Sequence, residues 1–284
     1  MENQKPMQKE HLNKTPEVAW IFDVDGVITN PAEKKVTEVG LIEEISSKLD
    51  QGDIVALNTG RSISWMMDRV IKPIEEAVGD KTKLVNFLAV GEKGGAWASF
   101  KDGELVIEVD DQIFIPESLK AEVRHLIESK FAESMFYDES KLTMLSTEMI
   151  DGRSVPDYAK EQLILIEKMK EILENPEYRS LDLKIDPTTI ATDIQNSHVG
   201  KHFGARRIAN WLKERGIKPI HVIALGDSQS DTEMAEELQG EYPVEFVFVG
   251  DKSKLDSSKL IKKPVFTQKQ FGEGTFEFLT SFKE

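Results

Sequence analysis

The chain has 284 residues, 39% of them hydrophobic and 31% charged, enough for one large domain or two ordinary ones with proper cores. A formal net charge of -15 and a pI near 4.9 set it against nucleic acid and anionic membrane surfaces, both of which would repel it. Cysteine is absent, which removes disulfides, thiolate metal sites and a cysteine nucleophile together.

No apolar run approaches the roughly 20 residues of a membrane span, and the polar start at Met1 lacks the apolar segment of a signal peptide. The cytoplasm is therefore the expected compartment. Residues 1–15 are polar and aperiodic and read as a flexible lead-in. The first apolar run, Trp20-Ile21-Phe22, reads as a buried strand that ends in Asp23, Asp25 and Gly26. Strand parity sends both carboxylates the same way, and like charges so close call for a cation or a shared proton. Residues 38–49 follow a helical period up to Gly52, and 54–57 form a second strand that ends in Asn58-Thr59-Gly60-Arg61. A helix over 62–78, a strand over 84–90, a glycine-rich turn over 91–95 and a hairpin at Asp102-Gly103 follow.

After Asp111 the rhythm changes to helix 116–131, strands 136–137 and 141–146, helix 156–175, and strands 181–185 and 190–194. From His198 the strand-helix alternation resumes: helix 200–215, strand 221–225, helix 232–238, strand 244–249 and helix 276–282. The expected fold is α/β, a Rossmann-like doubly wound parallel sheet core with an inserted α+β unit of order αββαββ. The boundaries read as 16–111 and 196–284 for the core and 112–195 for the insert.

Three predicted core strands end in polar segments: Asp23-Val24-Asp25, Asn58-Thr59-Gly60-Arg61 and Gly226-Asp227-Ser228-Gln229-Ser230-Asp231. In a parallel sheet the carboxyl ends share one edge, where ligands of such folds bind, so these segments converge. Asp23, Asp25 and Asp227 supply hard oxygen donors suited to Mg2+. Thr59 offers a hydroxyl, its neighbours offer backbone N–H groups, and Lys201 near a helix start adds a positive point charge for a phosphate. Gly60, Arg61 and Lys93 are the weaker substrate-binding candidates; an arginine after such a turn is more often a solvated side chain. His198, His202 and His221 lack a metal-ligand spacing. In the insert, Lys141, Glu148, Arg153 and Lys184 are candidates to face a substrate, each as readily read as surface charge.

Asp23-Val24-Asp25-Gly26-Val27, Thr59-Gly60-Arg61, Lys201 and the segment 226–231, in this order, resemble the four motifs of the haloacid dehalogenase (HAD) superfamily of phosphohydrolases. The insert resembles the type IIB cap of the Cof-like and sucrose-phosphatase-like branch. Gly91-Glu92-Lys93-Gly94-Gly95-Ala96 is similar to that branch's Glu-Asn-Gly-Ala signature, with Lys93 in place of Asn. Ser230 likewise stands where Asn is commoner. The resemblance implies that Asp23 takes the phosphoryl group as an aspartyl-phosphate and that Asp25 protonates the leaving group and then deprotonates water. It further implies that Mg2+ is held by Asp23, Asp227 and the Asp25 carbonyl, that Thr59 and Lys201 hold phosphoryl oxygens, and that Asp231 orients Lys201 or a metal-bound water. Asp25 argues against dehalogenation, which needs no acid for an alkoxide.

The expected activity is hydrolysis of a small phosphorylated metabolite, a sugar phosphate, with no nucleic-acid or membrane partner; nothing in the sequence sets an oligomeric state. Two other readings stand beside it: a phosphomannomutase-like phosphosugar mutase, and a catalytically silent binding module that retains the fold.

Overall fold

A computed structural model describes residues 16–256, 258 and 262–282; the predicted lead-in over 1–15 lies outside them. The chain opens with β1 (Val18–Phe22), every residue of which is buried. It continues through α1 (Leu41–Gln51), β2 (Ile54–Asn58), α2 (Ile63–Met66), a π-helical stretch Met67–Ile71 and α3 (Lys72–Ala77). Next come β3 (Phe87–Gly91), β4 (Ala96–Lys101) and β5 (Glu104–Val109). The insert carries α4 (Glu117–Lys130), β6 (Met135–Tyr137), β7 (Leu145–Met149), α5 (Val155–Leu173), α6 (Pro176–Arg179), β8 (Leu183–Pro187) and β9 (Ala191–Asn196). The chain closes with α7 (Lys201–Glu214), β10 (His221–Gly226), α8 (Thr232–Leu238), β11 (Val244–Phe248), β12 (Val265–Phe266) and α9 (Phe271–Ser281).

The large sheet has the order β12-β11-β10-β1-β2-β3-β4-β5, parallel from β12 to β3, with β4 and β5 added antiparallel. Alternate residues of its central strands face opposite layers. Trp20, Phe22, Val55, Leu57 and Phe87 pack with α1, the α2–α3 region and α9, whereas Ala19, Ile21, Ile54, Ala56 and Leu88 pack against α7 and α8. The fold is thus the expected doubly wound α/β core. A separate four-stranded antiparallel sheet, β6-β7-β9-β8, packs with α4 and α5 around Leu119, Val123, Leu145, Tyr158 and Leu165.

Several element boundaries differ from the sequence reading for local reasons. The single helix expected over 62–78 is broken by the π stretch, in which Lys72 N–H donates to the Met67 carbonyl five residues back. Pro73 follows at once and has no N–H for the regular ladder. Residues 84–86, expected as strand, belong to a 3-10 turn over Lys81–Asn86 whose N-cap, Asp80, accepts from Thr82 N–H at 3.0 Å. The strand expected over 141–146 starts only at Leu145, because the N–H groups of Leu142 and Thr143 go to the Glu92 carboxylate rather than to a ladder. At the far end α9 begins at Phe271, before the predicted 276, and takes in Gly272 and Gly274.

Strand register positions the chemistry. Phe22 pairs with Leu225 on one side and Leu57 on the other, so the residues that follow these three strands emerge side by side on the carboxyl edge. The insert lies across that same edge.

Candidate active site

Asp23 continues β1, and its N–H still bonds the Leu225 carbonyl at 3.0 Å, so the sheet fixes its backbone. Its carboxylate accepts from Val24 N–H at 2.6 Å and from Lys201 Nζ at 2.6 Å. Lys201 is the first residue of α7, and its ammonium also meets Asp231 Oδ1 at 2.7 Å and donates to the Asn58 carbonyl at 2.9 Å. The Asn58 amide returns a bond to the Lys201 carbonyl at 2.8 Å. That asparagine, buried at the end of β2, is a positioning element the sequence reading passed over. Its signal was a polar residue closing an apolar strand just before Thr59.

Asp231 is fully buried and shapes the loop after β10. Its Oδ2 accepts from the N–H groups of Asp227 and Ser228 and from the Ser228 hydroxyl at 2.8–3.0 Å. Asp227 is thereby aimed at Asp23. One carboxylate oxygen each of Asp23, Asp227 and Asp231 lies within 4.8 Å of the others. Both oxygens of Asp231 serve Lys201 and the loop, whereas the Val24 and Lys201 contacts of Asp23 fall on Oδ1 alone, so Asp23 and Asp227 are the carboxylates better placed to hold a cation.

Burial sets the electrostatics here. It raises the Asp23 carboxyl well above the ordinary carboxylate range; Lys201 opposes the shift, and Asp231, Asp227 and Asp25 add to it. Asp227 is pushed up to about 7 by burial first and by the neighbouring Asp231 second. Burial works against the charge of Lys201, but Asp23 and Asp231 together outweigh it, and its pKa stands above the ordinary lysine value.

Thr59 is buried, with its N–H on the Val90 carbonyl at 3.0 Å. Its Oγ1 accepts from Arg61 N–H at 3.2 Å. Arg61 departs from the solvated side chain expected of it: only 11% of the side chain is exposed. Nε and Nη2 grip both oxygens of Asp25 at 2.8 and 3.1 Å, and Nη1 reaches Glu148 of β7 at 2.9 Å. Burial lowers the Arg61 pKa, but the two carboxylates outweigh that and raise it. The Asp25 carboxylate therefore faces Arg61.

The weaker candidates divide. Gly60 lines the site and its carbonyl accepts from Lys141 Nζ at 2.6 Å. Lys93 also borders the site, but its ammonium is committed to the insert, at 2.6 Å from Asp186, 3.0 Å from Asp193 and 2.7 Å from the Gln195 carbonyl oxygen. Its neighbour Glu92 is fully buried and accepts from Leu142 N–H, Thr143 N–H and the Thr143 hydroxyl at 2.7–3.0 Å. Of the insert residues, Lys141 and Glu148 face the cavity, whereas Arg153 pairs with Glu161 and Lys184 reaches the Val199 carbonyl.

Core and insert together enclose a cavity of about 380 Å3 above Asp23. Its insert side carries Ser146, Glu148, Asp193 and the hairpin Thr188–Ala191, and among the described residues no aromatic ring lines it. The floor of the site thus carries Lys201, Thr59 and a carboxylate pair, and the insert covers it with Lys141, Ser146, Glu148 and Asp193 beside the apolar Ile190 and Ala191.

No protein-family model and no curated protein matches the sequence. Solved structures do match the fold. The C-terminal domain of the Candida albicans trehalose-6-phosphate phosphatase aligns at 17% identity with a TM-score of 0.61, covering 93% of this chain and 92% of that one. The sucrose-phosphatase of Synechocystis, solved with sucrose and phosphate, aligns at 13% identity and TM-score 0.55 over 93% and 97% of the two chains. The Aspergillus fumigatus trehalose-6-phosphate phosphatase aligns at 15% identity and TM-score 0.51 over 94% and 92%. At such identities the likeness is one of fold, and it extends over the insert as well as the core.

Proposed function

We propose that this chain is a Mg2+-dependent phosphomonoester hydrolase of the HAD superfamily, acting on a sugar phosphate or a similar small phosphorylated metabolite. In this reading residues 16–111 and 196–284 are its core and 112–195 a type IIB cap. The observation that carries it is the Asp23–Lys201–Asp231 chain, with contacts of 2.6 and 2.7 Å, beside Asp227 and Thr59 on the sheet edge. Proteins of the same fold include phosphatases of trehalose 6-phosphate and a sucrose-phosphatase, which is why a phosphorylated sugar is the substrate class named.

Asp23 attacks phosphorus and becomes an aspartyl-phosphate, which replaces one difficult displacement by two easier ones. Lys201 and the Thr59 hydroxyl hold phosphoryl oxygens as charge builds on them. Asp25 gives a proton to the departing alkoxide and takes one from the attacking water. Asp231 keeps Lys201 on line and shapes the loop that carries Asp227.

The donors fit a hard divalent cation: Asp23, Asp227 and the Asp25 carbonyl are all oxygen, and burial makes both carboxylates costly to leave uncompensated. Mg2+ held there would supply the positive charge that a phosphoryl transfer needs. The cavity size suits a small ligand, and among the described residues no aromatic ring lines it to stack a nucleobase.

The deciding experiment measures inorganic phosphate released from sugar, polyol and nucleotide phosphates with Mg2+. The expected result is Mg2+-dependent release, strongest with a sugar phosphate and abolished in Asp23→Asn. Full activity of that variant on p-nitrophenyl phosphate would remove Asp23 as nucleophile.

A further inference from the structure

One side chain of the insert touches the proton-transfer machinery without touching Asp25 itself. Glu148, on β7, is 7% exposed and holds Nη1 of Arg61 at 2.9 Å while the opposite edge of the same guanidinium holds both oxygens of Asp25. The guanidinium is planar and its donors are fixed relative to one another, so orienting one edge orients the other. Arg61 has further anchors within the core: its ring contact with Trp65 at 4.6 Å, its N–H on Thr59 Oγ1 at 3.2 Å and its carbonyl on Glu92 N–H at 2.9 Å. Glu148 supplies the anchor from the insert.

We propose that Glu148 is a positioning residue that fixes Arg61 and, through it, the carboxyl of Asp25, so that proton transfer is aligned only when the cap covers the core. The proposal rests on the reading of Asp25 as acid and base given above. The same guanidinium lies between the two carboxylates, with Asp25 on one edge and Glu148 on the other. The proton balance is closed. As the Asp23–phosphorus bond forms and the ester bond breaks, the leaving oxygen takes the proton of Asp25. When water then attacks and the Asp23–phosphorus bond breaks, Asp25 recovers a proton from that water.

The test compares glucose 6-phosphate, whose alkoxide needs a proton, with p-nitrophenyl phosphate, whose leaving group departs without one. Glu148→Gln keeps the shape of the side chain, and a thermal melt followed by circular dichroism checks that it folds. The expected result is a kcat/KM on glucose 6-phosphate lowered about 10- to 100-fold with little effect on that of p-nitrophenyl phosphate, because kcat/KM reports the leaving-group step and not the later attack of water that both substrates share. In an Arg61→Gln background the same change should add almost nothing, because its effect runs through Arg61. A raised KM with unchanged kcat would assign Glu148 to the sugar instead. Equal losses of kcat/KM on both substrates, or losses that multiply with those of Arg61→Gln, would equally overturn the proposal. Asp25→Asn separates the underlying reading: if it spares glucose 6-phosphate hydrolysis as fully as p-nitrophenyl phosphate hydrolysis, Asp25 is not the acid and the proposal falls with it.

Discussion

A methyl group on Gly26 would sit 2.1 Å from Asp227 Oδ2, and the glycine holds φ at +74°, where other L residues are strained. Gly26→Ala should therefore push Asp227 away from Asp23 without removing any catalytic group. We expect an apparent Mg2+ affinity about 10- to 100-fold weaker, read from a magnesium titration of phosphate release, in a protein that still folds. Much of the site at this scale was legible in the sequence. Asp23, Thr59 and Asp227 each follow an apolar run, and parallel strands of matched register bring such positions together whatever their separation along the chain. Arg61 was harder to read. Whether an arginine is solvated or forked between two carboxylates depends on what lies opposite, and Glu148 reaches it from 87 residues away.

Asp53, just before β2, ties the start of the central strands together. Its carboxylate accepts from Val18 N–H at 3.2 Å and from the Trp20 indole at 3.0 Å, both buried. Asp53→Ala leaves both donors without that acceptor and should lower stability by about 2–4 kcal/mol in urea unfolding, with the active-site edge at the other end of β1 little changed. Elements were readable where one rule governed them. Asp102 and Gly103, with φ of 53° and 82°, turn β4 into β5 as the Asp-Gly pair predicts. The reading failed where tertiary bonds outweighed local pattern. Residues 141–144 look strand-like, yet Glu92 takes the N–H groups of Leu142 and Thr143 and draws the segment across the core. The start of α9 was hidden because two glycines, poor helix formers, sit in its first turn and a half.

For the whole molecule, the buried carboxylates link stability to pH and, on the function proposed above, to metal. Asp227 titrates near 7 in the folded chain against about 3.9 when unfolded, and Asp23 is raised in the same direction. The folded state then binds more protons than the unfolded one between these values. The stability this contributes is complete below about pH 4 and is lost as pH rises through 7. Without divalent cation, the melting temperature should fall between pH 5.5 and pH 8 by an amount that Asp227→Asn reduces. Added Mg2+ should raise the melting temperature more at pH 8 than at pH 5.5, since it binds the ionised form. Differential scanning fluorimetry measures both. Lys93→Met should free β8 and β9 from the core and speed their hydrogen exchange on the order of tenfold, as mass spectrometry would show.

Glu92 and Lys93, consecutive residues with φ of 49° and 56°, send their side chains to two different parts of the insert. One grips the loop before β7 and the other grips β8 and β9, so a single turn of the core carries a lock whose keys are both in the cap. Cap and turn are therefore joined into one mechanical unit. A cap grafted onto this core from a relative would need the relative's residues at 92 and 93, and a core lent to a foreign cap would present a buried carboxylate and an ammonium with nothing to hold.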